Sequence, residues 1–106
     1  MDIEKIEWHD GNLFEAKFET DYQGKSRIVI IAEFYKEPIN AANRDRYIIT
    51  CNKVISFHFN CDVEELFENE SAGNISDGYI KENILRIYLC DGYLEIKAKR
   101  FNIKKC

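Results

Sequence analysis

Two runs of alternating apolar residues, Asn83 to Cys90 and Tyr93 to Phe101, are separated by Asp91-Gly92, and this arrangement constrains the chain most. Asp-Gly readily takes the positive φ angles that a two-residue primed turn demands at both central positions, so the runs fold back on each other as an antiparallel hairpin. The same two-residue period recurs near the start, where Phe14, Ala16 and Phe18 alternate with Glu15, Lys17 and Glu19. Leu13 to Thr20 is therefore expected as a strand with one wet face. Ahead of it, Ile3 to Trp8 and the turn-forming cluster His9-Asp10-Gly11-Asn12 suggest an opening hairpin.

The turn Asp21-Tyr22-Gln23-Gly24 leads into Arg27 to Tyr35, an apolar run unbroken before Glu33, as in a strand covered on both faces for part of its length. Lys36 to Asp45, with the single proline Pro38, reads as a loop. Arg46 to Phe59 is β-branched and aromatic, and long enough to bend or to divide around Asn52-Lys53 into two strands. Asp62 is placed to cap a short helix carrying Val63, Leu66 and Phe67 at helical spacing, with carboxylates in the first turn where the helix dipole favours them. Ser71 to Asp77 is expected as a loop. The resulting expectation is mainly β: an antiparallel β-sandwich or partly open barrel of about seven strands, with one short helix near residues 62–69.

With 106 residues, one domain over 1–106 is expected. Fifteen Lys and Arg against nineteen Asp and Glu give a formal charge of −4, which disfavours a nucleic-acid or anionic-membrane binder that relies on net charge. The opening Met1-Asp2-Ile3-Glu4-Lys5 lacks a signal or transit pattern, and no run approaches a membrane span. A cytoplasmic protein with reduced cysteines is expected, Cys51, Cys61 and Cys90 half-buried in strands or at strand ends and Cys106 in a frayed tail.

The charge map offers two binding surfaces. Between Cys61 and Gly78 lie Asp62, Glu64, Glu65, Glu68, Glu70 and Asp77 with no Lys or Arg, and residues 1–24 add seven acidic against two basic residues. On one face these would attract a basic partner and speed encounter; the alternative is a solvated helix followed by a polar loop. Tyr79 and Tyr22, in predicted turns, are the aromatic anchors of such an interface, because hot spots favour Tyr, Trp and Arg. At the other end, Lys97, Lys99, Arg100, Lys104 and Lys105 beside Phe101 and Tyr93 suit a single-stranded nucleic acid. The same lysines suit the wet face of an edge strand, and that reading is preferred.

Catalytic chemistry has little to draw on. His9-Asp10 is the one acid–base pair, at a turn or the mouth of a small ligand-binding barrel, and ordinary turn chemistry explains it as well. His58, between Phe57 and Phe59, reads as a sheet residue, and its pairing with Cys61 lacks the second ligand pair that zinc sites usually show. Gly73, Gly78 and Gly92 form no phosphate-binding loop, so neither a metal nor a nucleotide cofactor is expected, and no enzyme activity.

The segments Ile6-Glu7-Trp8-His9-Asp10-Gly11-Asn12-Leu13 and Leu85-Arg86-Ile87-Tyr88-Leu89-Cys90-Asp91-Gly92-Tyr93-Leu94-Glu95-Ile96-Lys97-Ala98 resemble a group of small β-rich bacterial proteins. Some of these serve as immunity proteins of polymorphic toxin and contact-dependent growth inhibition systems. The resemblance implies a cytoplasmic protein that binds a cognate toxin domain, often a basic nuclease, and blocks its active site or substrate surface. Monomer and homodimer are both open at this point.

Overall fold

A computed structural model describes Trp8, His9 and residues 11–21, 23–35, 44–61, 74–90 and 92–106. These form β1 (Gly11–Thr20), β2 (Ser26–Tyr35), β3 (Arg44–Cys61), β4 (Asn74–Lys81), β5 (Ile84–Leu89) and β6 (Gly92–Lys105). The strands close into an antiparallel barrel in the order β1-β2-β3-β6-β5-β4. Two three-stranded meanders are joined through β3 and β6, a Greek-key arrangement, and β4 closes on β1. Of the sandwich and the barrel, the barrel forms, with six strands among the described residues rather than about seven. The helix expected near residues 62–69 lies outside the described residues, as does the opening strand expected before Trp8. Among the described residues, no helix is long and apolar enough to cross a membrane.

The β5–β6 hairpin is present, with Leu89 opposite Gly92. Gly92 thus opens β6 instead of lying in the turn, as a connection through Asp91-Gly92 would have it. The β1–β2 turn is tied by Asp21, whose Oδ1 accepts from the backbone N–H of Gln23 and Lys25 at 2.9 Å each. Gly24 takes φ 76°, which glycine adopts without strain. Asp21→Ala removes both acceptor contacts from an exposed turn and is expected to cost about 1 kcal/mol in urea unfolding; an unchanged midpoint would show that the turn holds without them.

The long run into β3 bends and does not divide. Lys53 adopts φ 54°, and the register against β6 shifts between Val54 and Ser56, so one strand continues past the bulge with its face reset. A second bulge between Leu13 and Glu15 corrects the alternation expected for β1. Leu13 packs against the core, while Phe14 is half exposed with the Arg46 guanidinium 4.4 Å above its ring. The last strand is not a simple edge: β6 pairs with β3 over nearly its whole length, and with β5 up to Lys97. Asn74–Asp77, expected as loop, opens β4, and β4 turns into β5 through Glu82 and Asn83, both at positive φ, as a primed hairpin turn requires.

Inside, alternate residues form the core. Ile28, Ile30, Ala32 and Phe34 of β2, Tyr47, Ile49 and Cys51 of β3, and Leu94, Ile96 and Ala98 of β6 are buried, together with Ile75, Leu85 and Ile87. Val29 and Ile31 are not fully buried, so β2 is buried on one face rather than both. Trp8 closes one end, its ring edge-on to Phe34 at 5.2 Å and lying against Gly78. Closure of the barrel is narrow: β1 meets β4 only through Gly11 opposite Ile75 and Asn12 opposite Asn74. A Cβ at Gly11 would come within 2.9 Å of both the Glu33 carbonyl and the Phe34 ring, so a side chain there would push the seam apart.

Candidate functional site

The outward residues of β4, β5 and β6 build a platform. Antiparallel register sets Tyr79 opposite Arg86, Arg86 opposite Glu95, and Tyr88 opposite Tyr93, and directly opposite residues share a face of the sheet. Because Leu85 and Ile87 face the core, Arg86 and Tyr88 point outward. The Arg86 guanidinium carbon lies 4.8 Å from the Tyr93 ring centre and 5.2 Å from that of Tyr88, within cation–π range on both sides. Its Nη2 is 3.5 Å from the Glu95 carboxylate, while its Nε is buried without a hydrogen-bond partner. A hydrogen bond with Tyr79, with smaller contributions from Tyr88 and Glu95, holds the Arg86 pKa above its ordinary value, so the cation is permanent.

Tyr79, 40% exposed and 6.5 Å from the Tyr88 ring, crowns this group. It lies in the middle of β4, not in the turn expected for it, because Ser76-Asp77-Gly78 continues the strand through a bulge between Ile75 and Asp77. Asp77, opposite Tyr88, adds a carboxylate at the margin. The other residues expected to bind a partner, Asp62, Glu64, Glu65, Glu68, Glu70 and Tyr22, lie outside the described residues. Sequence reasoning misses Arg86, Tyr88 and Tyr93 in this role: a turn through Asp91-Gly92 would set Tyr88 opposite Glu95 and Arg86 opposite Lys97, and only the observed register, with Leu89 opposite Gly92, brings Tyr88 against Tyr93.

A second cluster sits where β3 runs beyond the end of β2. Phe57 is opposite Ile96 and Phe59 opposite Leu94, so both continue the inner face past the covered core. Phe18 of β1 reaches Phe57 at 4.9 Å, and Phe57 reaches Phe59 at 5.1 Å. All three rings are more than a third exposed.

His9 is exposed in a turn, and Asp10 lies outside the described residues. His58 is exposed in β3 opposite Glu95. Among the described residues, no three His, Cys, Asp or Glu side chains converge as metal ligands. Cys51 lies in β3 and is fully buried, and Cys90 lies at the end of β5 and is exposed, where half-burial in strands or at strand ends is the expectation for both; Cys106 is exposed as expected. No protein-family model, curated protein or solved structure matches this chain.

Proposed function

We propose that this protein is a non-enzymatic protein-binding module of the immunity type, which neutralises a basic toxin domain by docking it on the outer face of β4, β5 and β6. The observation that carries this reading is the exposed Tyr79 above an Arg86 held between Tyr88 and Tyr93. Tyr and Arg are the residues that dominate binding energies at interfaces, and rigid neighbours lower the side-chain entropy lost on docking. Asp77 and Glu95 on the platform, and the acidic stretch of sequence that precedes β4, supply charge complementary to a basic partner. Such charge chiefly raises the association rate and is screened by salt.

The test is capture from a lysate of the source cell by the tagged protein, followed by an activity assay of whatever protein is retained. The retained protein should be basic, and its own activity should fall when the wild-type protein is added. Tyr79→Ala should weaken the complex about tenfold, about 1.4 kcal/mol, and Arg86→Ala at least as much. A captured protein that binds Tyr79→Ala and Arg86→Ala as tightly as the wild type removes the platform from the interface. One whose activity is unaffected by saturating wild-type protein removes the neutralising role.

A further inference from the structure

β4 meets β1 only at its first two residues, Asn74 opposite Asn12 and Ile75 opposite Gly11. From Ser76 to Lys81 it has β5 on one side and, among the described residues, no strand on the other. The turn that follows fixes which groups point to this open side. Lys81 and Ile84 close the two-residue turn Glu82-Asn83 as a hydrogen-bonded pair, and alternation along an antiparallel ladder then turns the backbones of Tyr79 and Asp77 to β5 as well. Gly78 and Ile80 therefore aim their N–H and C=O groups at the open side. Gly78 agrees with this: its N–H donates at 2.8 Å to Asp77 Oδ1, an exposed side-chain acceptor of its own strand. An edge left in this state is a template for another strand.

The side chains along this edge say which strand fits. Asp77, Tyr79 and Lys81 stand in one exposed row on the outer face. A two-fold axis through Tyr79 reverses the row onto itself with opposite charges facing. Antiparallel pairing of two copies about that axis sets Asp77 against the partner's Lys81, and Tyr79 against the partner's Tyr79. The same register brings Gly78 opposite the partner's Ile80, so the outward backbone groups of each copy meet those of the other. A shift by two residues in either direction keeps the hydrogen bonds but puts a tyrosine opposite a charge and loses the ion pairs. Backbone bonds supply the affinity of strand addition, and the charges select the register. The other open edges offer no such match. On β1 past Asn12, a self-pair about Lys17 sets lysine on lysine and Glu15 on Glu19. On β6 past Lys97, the charges are Lys99, Arg100 and Lys104, which repel their own copy. On β3 past Asn52, Val54 to Cys61 holds no Asp, Glu, Lys or Arg, so charge selects no register there.

We propose that the open edge of β4 is the interface of a two-fold dimer of this chain, in which Asp77 to Lys81 of the two copies pair antiparallel. The axis stands perpendicular to the joined sheet, so the outer faces of both copies lie on the same side. Pairing over this length is short, and the dimer therefore forms reversibly with concentration. Sedimentation velocity of the full chain at concentrations up to about 1 mM should show a monomer–dimer equilibrium. Asp77→Lys sets lysine against the partner's Lys81, and Lys81→Asp sets aspartate against the partner's Asp77, each at two symmetric places. Each variant alone should self-associate at least about tenfold more weakly. An equimolar mixture of the two restores opposite charges at both places, and the mixed dimer should come within about threefold of the wild type. Glu15→Lys, the same charge change on the β1 edge, should stay within about twofold. All three side chains are exposed, and urea unfolding of each variant confirms that it is folded. The proposal is overturned if the wild type stays monomeric over the whole range, if a dimer forms that neither single reversal weakens, if Glu15→Lys weakens it as much as they do, or if the mixture associates no better than either variant alone.

Discussion

Gly78→Ala is expected to destabilise the protein by about 2 kcal/mol, although alanine is ordinarily the better residue in a strand. An ideal Cβ on Gly78 would lie 2.6 Å from Trp8 Cδ2 and 2.9 Å from both Cε3 and Cγ, well inside contact distance. The indole has little freedom to retreat, since Trp8 is 7% exposed and packs edge-on against Phe34. Two effects oppose each other. Loss of glycine's freedom in the unfolded chain favours alanine by about 0.4–1 kcal/mol, while overpacking a fixed ring costs about 1–3 kcal/mol. The clash involves three ring atoms of a rigid side chain, so the second effect prevails. Trp8→Ala alone should cost about 3–5 kcal/mol, and adding Gly78→Ala to it should cost nothing more, leaving a coupling of about 2 kcal/mol in the double-mutant cycle. Trp8 is the only tryptophan, so its emission reports the same displacement: a red shift in Gly78→Ala accompanies the loss. Equal stability with unmoved emission would mean that the indole does not rest on Gly78.

The pairing that produces this contact is only partly legible in the sequence. The β5–β6 hairpin can be read because its turn chemistry is local, and the same holds for the Asp21-centred turn. The order β1-β2-β3-β6-β5-β4 depends on pairings between distant segments, which no local propensity encodes. Ser76-Asp77-Gly78 has the composition of a loop, yet Gly78 serves within β4 because an indole needs the space above it. Phe14 and Leu13 exchange their expected places because one bulge resets the alternation, and the bulge leaves no distinctive residue behind. Arg86 and Tyr88 alternate visibly with Leu85 and Ile87; the density of charge at 62–70 is the more conspicuous signal, but it says nothing about geometry. The basic residues at the end read as one run, and the fold sorts them, sending Arg100 into a cleft and Lys105 to Asp45.

Raising the pH should expose the burial of Cys51 as a stability slope. Cys51 is fully buried, opposite Ile28 and Phe101 across the inner face, and burial pushes its thiol from 9.0 up to about 12. The sign follows from proton binding. Between those two values the folded thiol keeps its proton while the unfolded chain releases it, so the native state binds more protons and stability falls as pH rises. Below about 9 both states are protonated and the thiol has no effect. Above that, the loss is about 1.4 kcal/mol per pH unit, reaching about 4 kcal/mol by about pH 12. Other titrating groups cancel in the comparison with Cys51→Ala, which lacks the slope. At neutral pH that variant should be the less stable by about 1 kcal/mol for the lost packing, and the order should reverse between about pH 9 and 10.5, where the slope outweighs that deficit. Urea titrations of both proteins at several pH values measure the crossing, and parallel curves would show that Cys51 ionises without unfolding. The same burial makes a chemical prediction at neutral pH: a thiol reagent modifies the exposed Cys90 and Cys106 at once, and Cys51 only when the barrel opens, because the attacking species is a thiolate that the folded core does not permit.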